Sequence, residues 1–151
     1  MSDLAQGVRL GIDVGQVRVG VARSDPDGIL ATPLTTLARA GGGDQGVPSD
    51  MAQVRQLVAD LDAVEVVVGL PVSLAGGEGP AARHARAYAD RLAELLAPVP
   101  VRLADERMST VLATRRLAER GIRGRRQRAV IDQVAAVEIL QSWLDAQRRR
   151  T

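Results

Sequence analysis

The chain contains no cysteine and no lysine, a single histidine, and only two aromatic side chains, Tyr88 and Trp143. Without cysteine there can be no disulfide, thiolate metal site or cysteine nucleophile. So few aromatic rings leave no expectation of a base-stacking platform for single-stranded nucleic acid. No apolar run approaches the roughly 18 residues that a transmembrane helix needs. Met1 to Gln6 lacks the basic stretch and apolar core of a signal peptide, so a cytoplasmic protein with no membrane partner is expected. The 151 residues are most simply one domain, 1–151, with one core.

All 20 basic residues are therefore arginine, the better bidentate partner for phosphate, although the formal net charge is only +2. The high isoelectric point owes something to the missing lysine and cysteine and is weak evidence of a nucleic-acid partner. Distribution says more. Arg115, Arg116, Arg120, Arg123, Arg125, Arg126 and Arg128 crowd together, and Arg148 to Arg150 close the chain. Such a cluster reads either as a solvated helix face with a frayed tail or as a set of contacts that hold a nucleic-acid backbone without reading its sequence.

Asp13 is the most anomalous residue. It sits inside the apolar run Leu10-Gly11-Ile12-Asp13-Val14-Gly15, followed at once by a second strand-like run, Val17 to Ala22. A buried polar group without a partner costs about 2–7 kcal/mol and a charge costs more. A bound metal ion is one compensation; a turn or helix-cap role is the other.

Farther along, Asp25-Pro26-Asp27-Gly28 reads as a tight hairpin turn and Ile29 to Leu37 as a third strand, placed at an edge or made irregular by Pro33. Ala40 to Ser49 is glycine-rich and is expected to be a mobile loop. Ser49-Asp50 can cap a helix over Met51–Asp60. Glu65 to Leu70 is β-branched and apolar on both faces, the pattern of a buried parallel strand. A helix is expected from Gly79 to Leu96, a short strand over Val101–Ala104, and a helix over Thr110–Arg120, capped by Ser109 and closed by Gly121. The last helix should run from Arg128 to Gln147 with Val130, Val134, Val137, Leu140 or Gln141, and Leu144 inward. Three antiparallel strands followed by two parallel ones through helical crossovers give an α/β, mixed five-stranded sheet flanked by helices, the RNase H-like arrangement.

In such a sheet ligands favour the carboxyl ends of the parallel strands. Asp13, one of Asp105 and Glu106, and Asp132 can converge there. At about 4 Å two carboxylates repel by roughly 4 kcal/mol at an effective dielectric of 20. A hard divalent cation, Mg²⁺ or Mn²⁺, removes that repulsion. Two such ions can activate water and stabilise the leaving oxygen of a phosphodiester. Taken one by one the acids have ordinary readings: Asp105 a loop acid, Glu106 an ion-pair partner of Arg107, Asp132 a first-turn acid favoured by the helix dipole.

Four segments in order resemble the YqgF/RuvX family, whose fold is related to the RuvC Holliday-junction resolvases. They are Leu10–Gly15 through Val19–Ala22; Val68-Gly69-Leu70-Pro71 through Gly77–Pro80; Asp105-Glu106-Arg107-Met108-Ser109-Thr110; and Val130–Ala136 through Ile139–Ser142. The resemblance implies an RNase H-like nuclease linked to maturation of the 5′ end of pre-16S rRNA and, for some members, to resolving DNA junctions. It carries the family's acidic positions to Asp13, Glu106 and Asp132 as catalytic and metal-binding residues, with Asp105 a further candidate. Val17, Ser73–Gly76 and Ala81 depart from the family's usual basic or polar residues.

Arg18, Arg107, Ser109, Thr110, Arg123, Arg125, Arg126 and Arg128 are the candidate nucleic-acid contacts. Gly76, Gly77, Glu78 and Gly79 form a candidate substrate loop ahead of a helix N-terminus, or a simple connector. His84 reads as a surface or packing residue and Trp143 as a core or dimer contact. The expected partners are pre-16S rRNA or branched DNA, with a ribosomal subunit precursor as context; the chain would act as a monomer or homodimer. Two rival readings are a non-catalytic rRNA-binding assembly factor and an actin-like kinase or ATPase, which needs two such domains where this length supplies one.

Overall fold

The computed structural model describes residues 5–39, 46–121 and 125–149; side chains 117–121, 125 and 126 are outside the description. The predicted element order is what it contains: β1 (Arg9–Val14), β2 (Arg18–Ser24), β3 (Ala31–Ala38), α1 (Ser49–Leu61), β4 (Glu65–Leu70), α2 (Pro80–Leu96), β5 (Val101–Asp105), α3 (Val111–Gly121) and α4 (Arg125–Arg149). One five-stranded sheet has the order β3-β2-β1-β4-β5. β1–β2 and β2–β3 are antiparallel, while β1–β4 and β4–β5 are parallel. Pro33 lies in edge strand β3 opposite Ala22, beside an irregularity at Val21/Ala22, as a residue without a backbone donor must.

Strand alternation gives the sheet two unlike faces. Leu10 and Ile12 of β1, Val19 and Val21 of β2, and Val66 and Val68 of β4 pack beneath α1 and α2, against Met51, Val54, Tyr88 and Leu92. Each buried branched side chain there contributes about 1.5–3 kcal/mol. The other face carries Gly11, Gly20, Ala22, Val67 and Gly69 and is crossed by α4. The missing side chains bring the helix close. A Cβ on Gly20 would stand 2.0 Å from the carbonyl oxygen of Asp132, and one on Gly11 would stand 2.6 Å from Leu140 Cβ.

That close approach corrects part of the expected inward face of α4, of which Leu140 and Leu144 are buried as expected and Val137 packs beside them. Its buried residues are Ala135, Ala136, Ile139, Leu140 and Leu144, whereas Val130 is 56% exposed. The helix also begins earlier than expected, so Asp132 is beyond its first turn. Two caps differ as well. Pro48 is the N-cap of α1, with no side-chain cap. Asp50 is instead fully buried, accepting a hydrogen bond from Tyr88 Oη at 2.7 Å and facing Arg39 Nε at 3.6 Å. α3 starts at Val111 because Glu106 to Met108 forms a 3-10 turn, whose end is held by Ser109 Oγ donating to the Glu106 carbonyl. Most of the expected 40–49 loop, and Arg123, lie outside the described residues, as do the side chains of Arg120, Arg125 and Arg126.

Candidate active site

Because Leu10 and Ile12 face α1 and α2, Asp13 faces α4, near the carboxyl end of the central strand. It is 5% exposed and pairs in register with Gly20. Glu106, in the turn after β5, is 2% exposed and reaches the same side of the sheet. Gly69 on the intervening β4 makes room for it: a Cβ there would stand 2.8 Å from Glu106 Oε2. Asp132 arrives on α4 over Gly20. Strand end, post-strand turn and helix thus bring three carboxylates to one end of the sheet.

An open cleft of about 890 Å³ lies over this end, lined by Asp13, Gly15, Pro71, His84, Arg115 and Asp132 among others. Burial pushes the Asp13 carboxyl up to about 6; Arg115 opposes the shift, and the charges of Glu106 and Asp132 add to it. Burial likewise raises Glu106, with Arg115 opposing.

Two arginines partly neutralise the acids. Arg115, on α3, forks across Asp13 Oδ1 and Glu106 Oε1. Arg18 Nε bonds Asp132 Oδ2 at 2.7 Å. Burial works against the charge on Arg115, but Asp13 and Glu106 outweigh it and hold its proton above the ordinary range. Among the described residues no three acids are gathered tightly enough to grip one ion as they stand.

The ordinary pairing expected of Glu106 with Arg107 belongs to Asp105 instead. Arg107 Nη2 donates to Asp105 Oδ2 at 2.6 Å and the Arg107 backbone N–H to Asp105 Oδ1 at 2.9 Å, which lowers the Asp105 pKa. The strand ends at Asp105, and the 3-10 turn then directs Glu106 inward.

The other expected contacts are scattered. Ser109 is committed to its own turn, accepting from the Val111 N–H at 3.3 Å. Thr110, next to it, is exposed. Arg107 and Thr110 line a shallow groove of about 500 Å³ with Val137 and Glu138 of α4. Arg128 is exposed on the first turns of α4. The loop at Gly76 closes on itself, with Gly76 N–H to the Ser73 carbonyl at 2.8 Å and Gly77 N–H to Ser73 Oγ at 2.9 Å. Glu78 is held by Arg86 at 2.6 Å, and Gly79 is the N-cap of α2.

Sequence reasoning missed two residues of the cleft. His84 is within 2.7 Å of Arg39 Nη1, which also donates to the Gly15 carbonyl at 2.8 Å. Arg115 stood among the clustered arginines with no local sign that it faces inward. Trp143 is half-buried, with the Arg9 guanidinium 6.0 Å from its ring centre.

Known proteins similar to this chain share its fold and name its family. The model of the RuvX family, described as Holliday junction resolvase, matches residues 7–146. A protein of Mycobacterium sp. (strain KMS) named "Putative pre-16S rRNA nuclease" is 59% identical over 146 residues, 97% of this chain and 84% of the relative. A protein of the same name from Mycobacteroides abscessus is 53% identical over 147 residues, 97% of this chain and 86% of the other. Among solved structures, T. thermophilus RuvC in complex with a Holliday junction substrate matches with a TM-score of 0.53 and 17% identity, covering 93% of this chain and 95% of that one, a likeness of fold.

Proposed function

From the premise that the chain belongs to the RuvX family, we propose that it is a cytoplasmic, metal-dependent endonuclease that hydrolyses phosphodiester bonds at the 5′ end of pre-16S rRNA. The observation that carries this reading is that Asp13 and Asp132 line an open cleft, with Glu106 joined to Asp13 through Arg115 and a surplus of negative charge that burial has already made costly. The names of the curated relatives favour rRNA as the substrate.

The donor set fits a hard cation. It consists of carboxylate oxygens alone, and the carboxylates come from rigid elements rather than mobile loops. Asp13, Glu106 and Asp132 would hold Mg²⁺ or Mn²⁺, two ions in this reading, whose chemistry is to activate water and stabilise a leaving oxygen. The chain itself contributes position and charge. Central strand β1 fixes the backbone of buried Asp13, and the Gly69 gap admits Glu106. Asp105, tied to Arg107, serves to orient the turn. Arg107, Thr110 and Arg128 would meet phosphate oxygens, a reading supported by their exposure and a kind of contact that holds register and weakens steeply with salt. The loop at Gly76–Gly79 lies ahead of α2, whose Pro80 lines the cleft.

A second reading, cleavage of branched DNA, is favoured by the family description and by the RuvC fold. A resolvase cuts two symmetric strands and so calls for a homodimer, whereas a monomer suffices for the leader RNA. The two are separated by incubating labelled pre-16S 5′-leader RNA, free or in a subunit precursor, and a four-way DNA junction with Mg²⁺, Mn²⁺ or EDTA, using wild type and Asp13→Asn. Metal- and Asp13-dependent cutting of RNA supports the first reading. Paired symmetric cuts in the junction support the second. Binding with no cutting of either overturns both and leaves a non-catalytic rRNA-binding assembly factor.

A further inference from the structure

We propose that Arg115 is a resident counter-cation of the acid site, which a divalent ion must displace before the site can act. This rests on the metal-dependent reading above and concerns a residue which that reading does not use.

The geometry sets the two occupants in competition. The guanidinium of Arg115 bonds Asp13 Oδ1 through one terminal nitrogen and Glu106 Oε1 through the other, so it bridges the two carboxylates through one oxygen of each. An ion bridging the same pair would compete for those oxygens and bring a second positive charge against the guanidinium.

Freedom to move is unequally divided. The side chains of Asp13 and Glu106 are 6% and 1% exposed, fixed by a central strand and by the gap over Gly69. The Arg115 side chain is 32% exposed and lines the open cleft. When an ion enters, the arginine has a route out into the cleft and the acids have none. A flexible side chain on the cleft wall is the part that yields.

The charges also show why a resident cation is present. Two buried carboxylates without a partner would repel each other and lose hydration together. One guanidinium satisfies one oxygen of each and adds a single positive charge, which leaves the pair still net negative. A divalent ion supplies twice that charge to the same oxygens. Arg115 is therefore sufficient to keep the metal-free protein folded and weak enough to be replaced. Metal affinity is lowered by the free energy of removing it.

The test is Mn²⁺ binding to the EDTA-stripped full-length protein, followed by calorimetry and by the electron paramagnetic resonance of free Mn²⁺. It compares wild type, Arg115→Gln, Arg115→Lys and Asp13→Asn. Arg115→Gln is expected to bind Mn²⁺ at least tenfold more tightly than wild type. Arg115→Lys, which keeps the positive charge, should stay within a few-fold of wild type. Without metal Arg115→Gln should melt below wild type, and Mn²⁺ should raise its melting temperature by more. If that variant is unfolded in EDTA, recovery of its helical circular dichroism with Mn²⁺, but not with an equal ionic strength of NaCl, supports the proposal, and failure to recover overturns it. Equal or weaker binding by Arg115→Gln, with Asp13→Asn still abolishing binding, overturns the role of Arg115 and leaves the metal site standing. Equal, negligible binding by wild type and Asp13→Asn overturns both.

Discussion

The two ends of the sheet carry opposite solutions to the same electrostatic problem. At the amino ends of the parallel strands one carboxylate, Glu65, accepts from two arginines, Arg9 Nε at 2.9 Å and Arg102 Nε at 2.8 Å. At the carboxyl ends one arginine, Arg115, serves two carboxylates, Asp13 and Glu106. The first cluster has positive charge to spare and asks for nothing further. The second is short of positive charge, and Asp13 is raised to about 6, chiefly by burial and further by the charges of Glu106 and Asp132. Burial of charge alone does not mark a functional site, since Glu65 and Arg9 are both buried. The sign of the uncompensated remainder, facing a cleft, is what marks it.

The strongest way to break this comparison is to remove one carboxylate from each end. Glu65→Ala leaves buried Arg9 without its partner and should cost about 3–5 kcal/mol in urea unfolding. Asp13→Asn should abolish cleavage, by roughly 10³-fold, which corresponds to about 4 kcal/mol of barrier. Yet in EDTA the same variant should be at least as stable as wild type at neutral pH. If Asp13→Asn is instead as damaging to the fold as Glu65→Ala, the two clusters are both structural and the contrast fails.

pH sharpens the same contrast. The Asp13 carboxyl titrates near about 6 in the fold against its ordinary 3.8. Between those values the folded chain holds a proton that the unfolded chain has released. Stability contributed by this group is therefore greatest at low pH, falls as pH rises from about 4 to about 6, and is level above. A shift of that size is on the order of 3 kcal/mol at most. Unfolding of wild type minus Asp13→Asn, measured in EDTA at pH 4 and pH 7, isolates the term from the other acids. A difference that does not change between the two pH values would show that Arg115 fully compensates Asp13.

A third comparison concerns the two faces of the sheet. Under α1 and α2 the core is built from large branched side chains; under α4 it is built from absences. Gly20→Ala places a methyl group 2.0 Å from the Asp132 carbonyl oxygen, which is backbone and cannot swing aside. The expected loss is about 1–3 kcal/mol in stability, with cleavage falling further because Asp132 moves with its helix. Val54→Ala, on the other face, also makes a fully buried defect. It should lower stability while leaving the activity of the folded fraction intact.

These faces also explain what could be read from the sequence. The strand order, the edge position of β3 and the burial of an acid at Asp13 were legible, because β-branched runs, a proline and an acid in an apolar strand are local signals. The inward face of α4 was legible only in part. Helical spacing of large apolar residues found Val137, Leu140 and Leu144 but also selected Val130 and Val134, whereas the helix packs through Ala135 and Ala136 against glycines far away in the chain. Arg115 was equally hidden: its partner Asp13 is 102 residues distant, and nothing local separates it from Arg116, which is exposed. The fate of Ser49 and Asp50 shows that a capping residue type is a weak guide once a buried tyrosine competes for it, whereas Ser109 does accept the first N–H of α3.

The smallest expected effect separates two adjacent acids. Asp105 and Glu106 are one residue apart, and their spacing alone left either able to join the site. Asp105 bonds Arg107 through both carboxylate oxygens and is partly exposed, so its charge is already answered outside the cleft. Exposed pairs of this kind contribute about 0–1 kcal/mol. Asp105→Asn should therefore leave Mn²⁺ affinity unchanged, lower stability by less than about 1 kcal/mol, and reduce cleavage only a few-fold through a looser Arg107. Glu106→Gln keeps the shape of a side chain that is 2% exposed but removes one of the two charges around Arg115. It should weaken Mn²⁺ binding and remove cleavage to the same degree as Asp13→Asn. Measuring the Mn²⁺ affinity of both variants decides the matter, because loss of affinity in Asp105→Asn would mean that Arg107 yields to the ion as Arg115 does. The negatively charged end of the sheet would then include Asp105, the last residue of β5, and the number of acids around the cleft would be four.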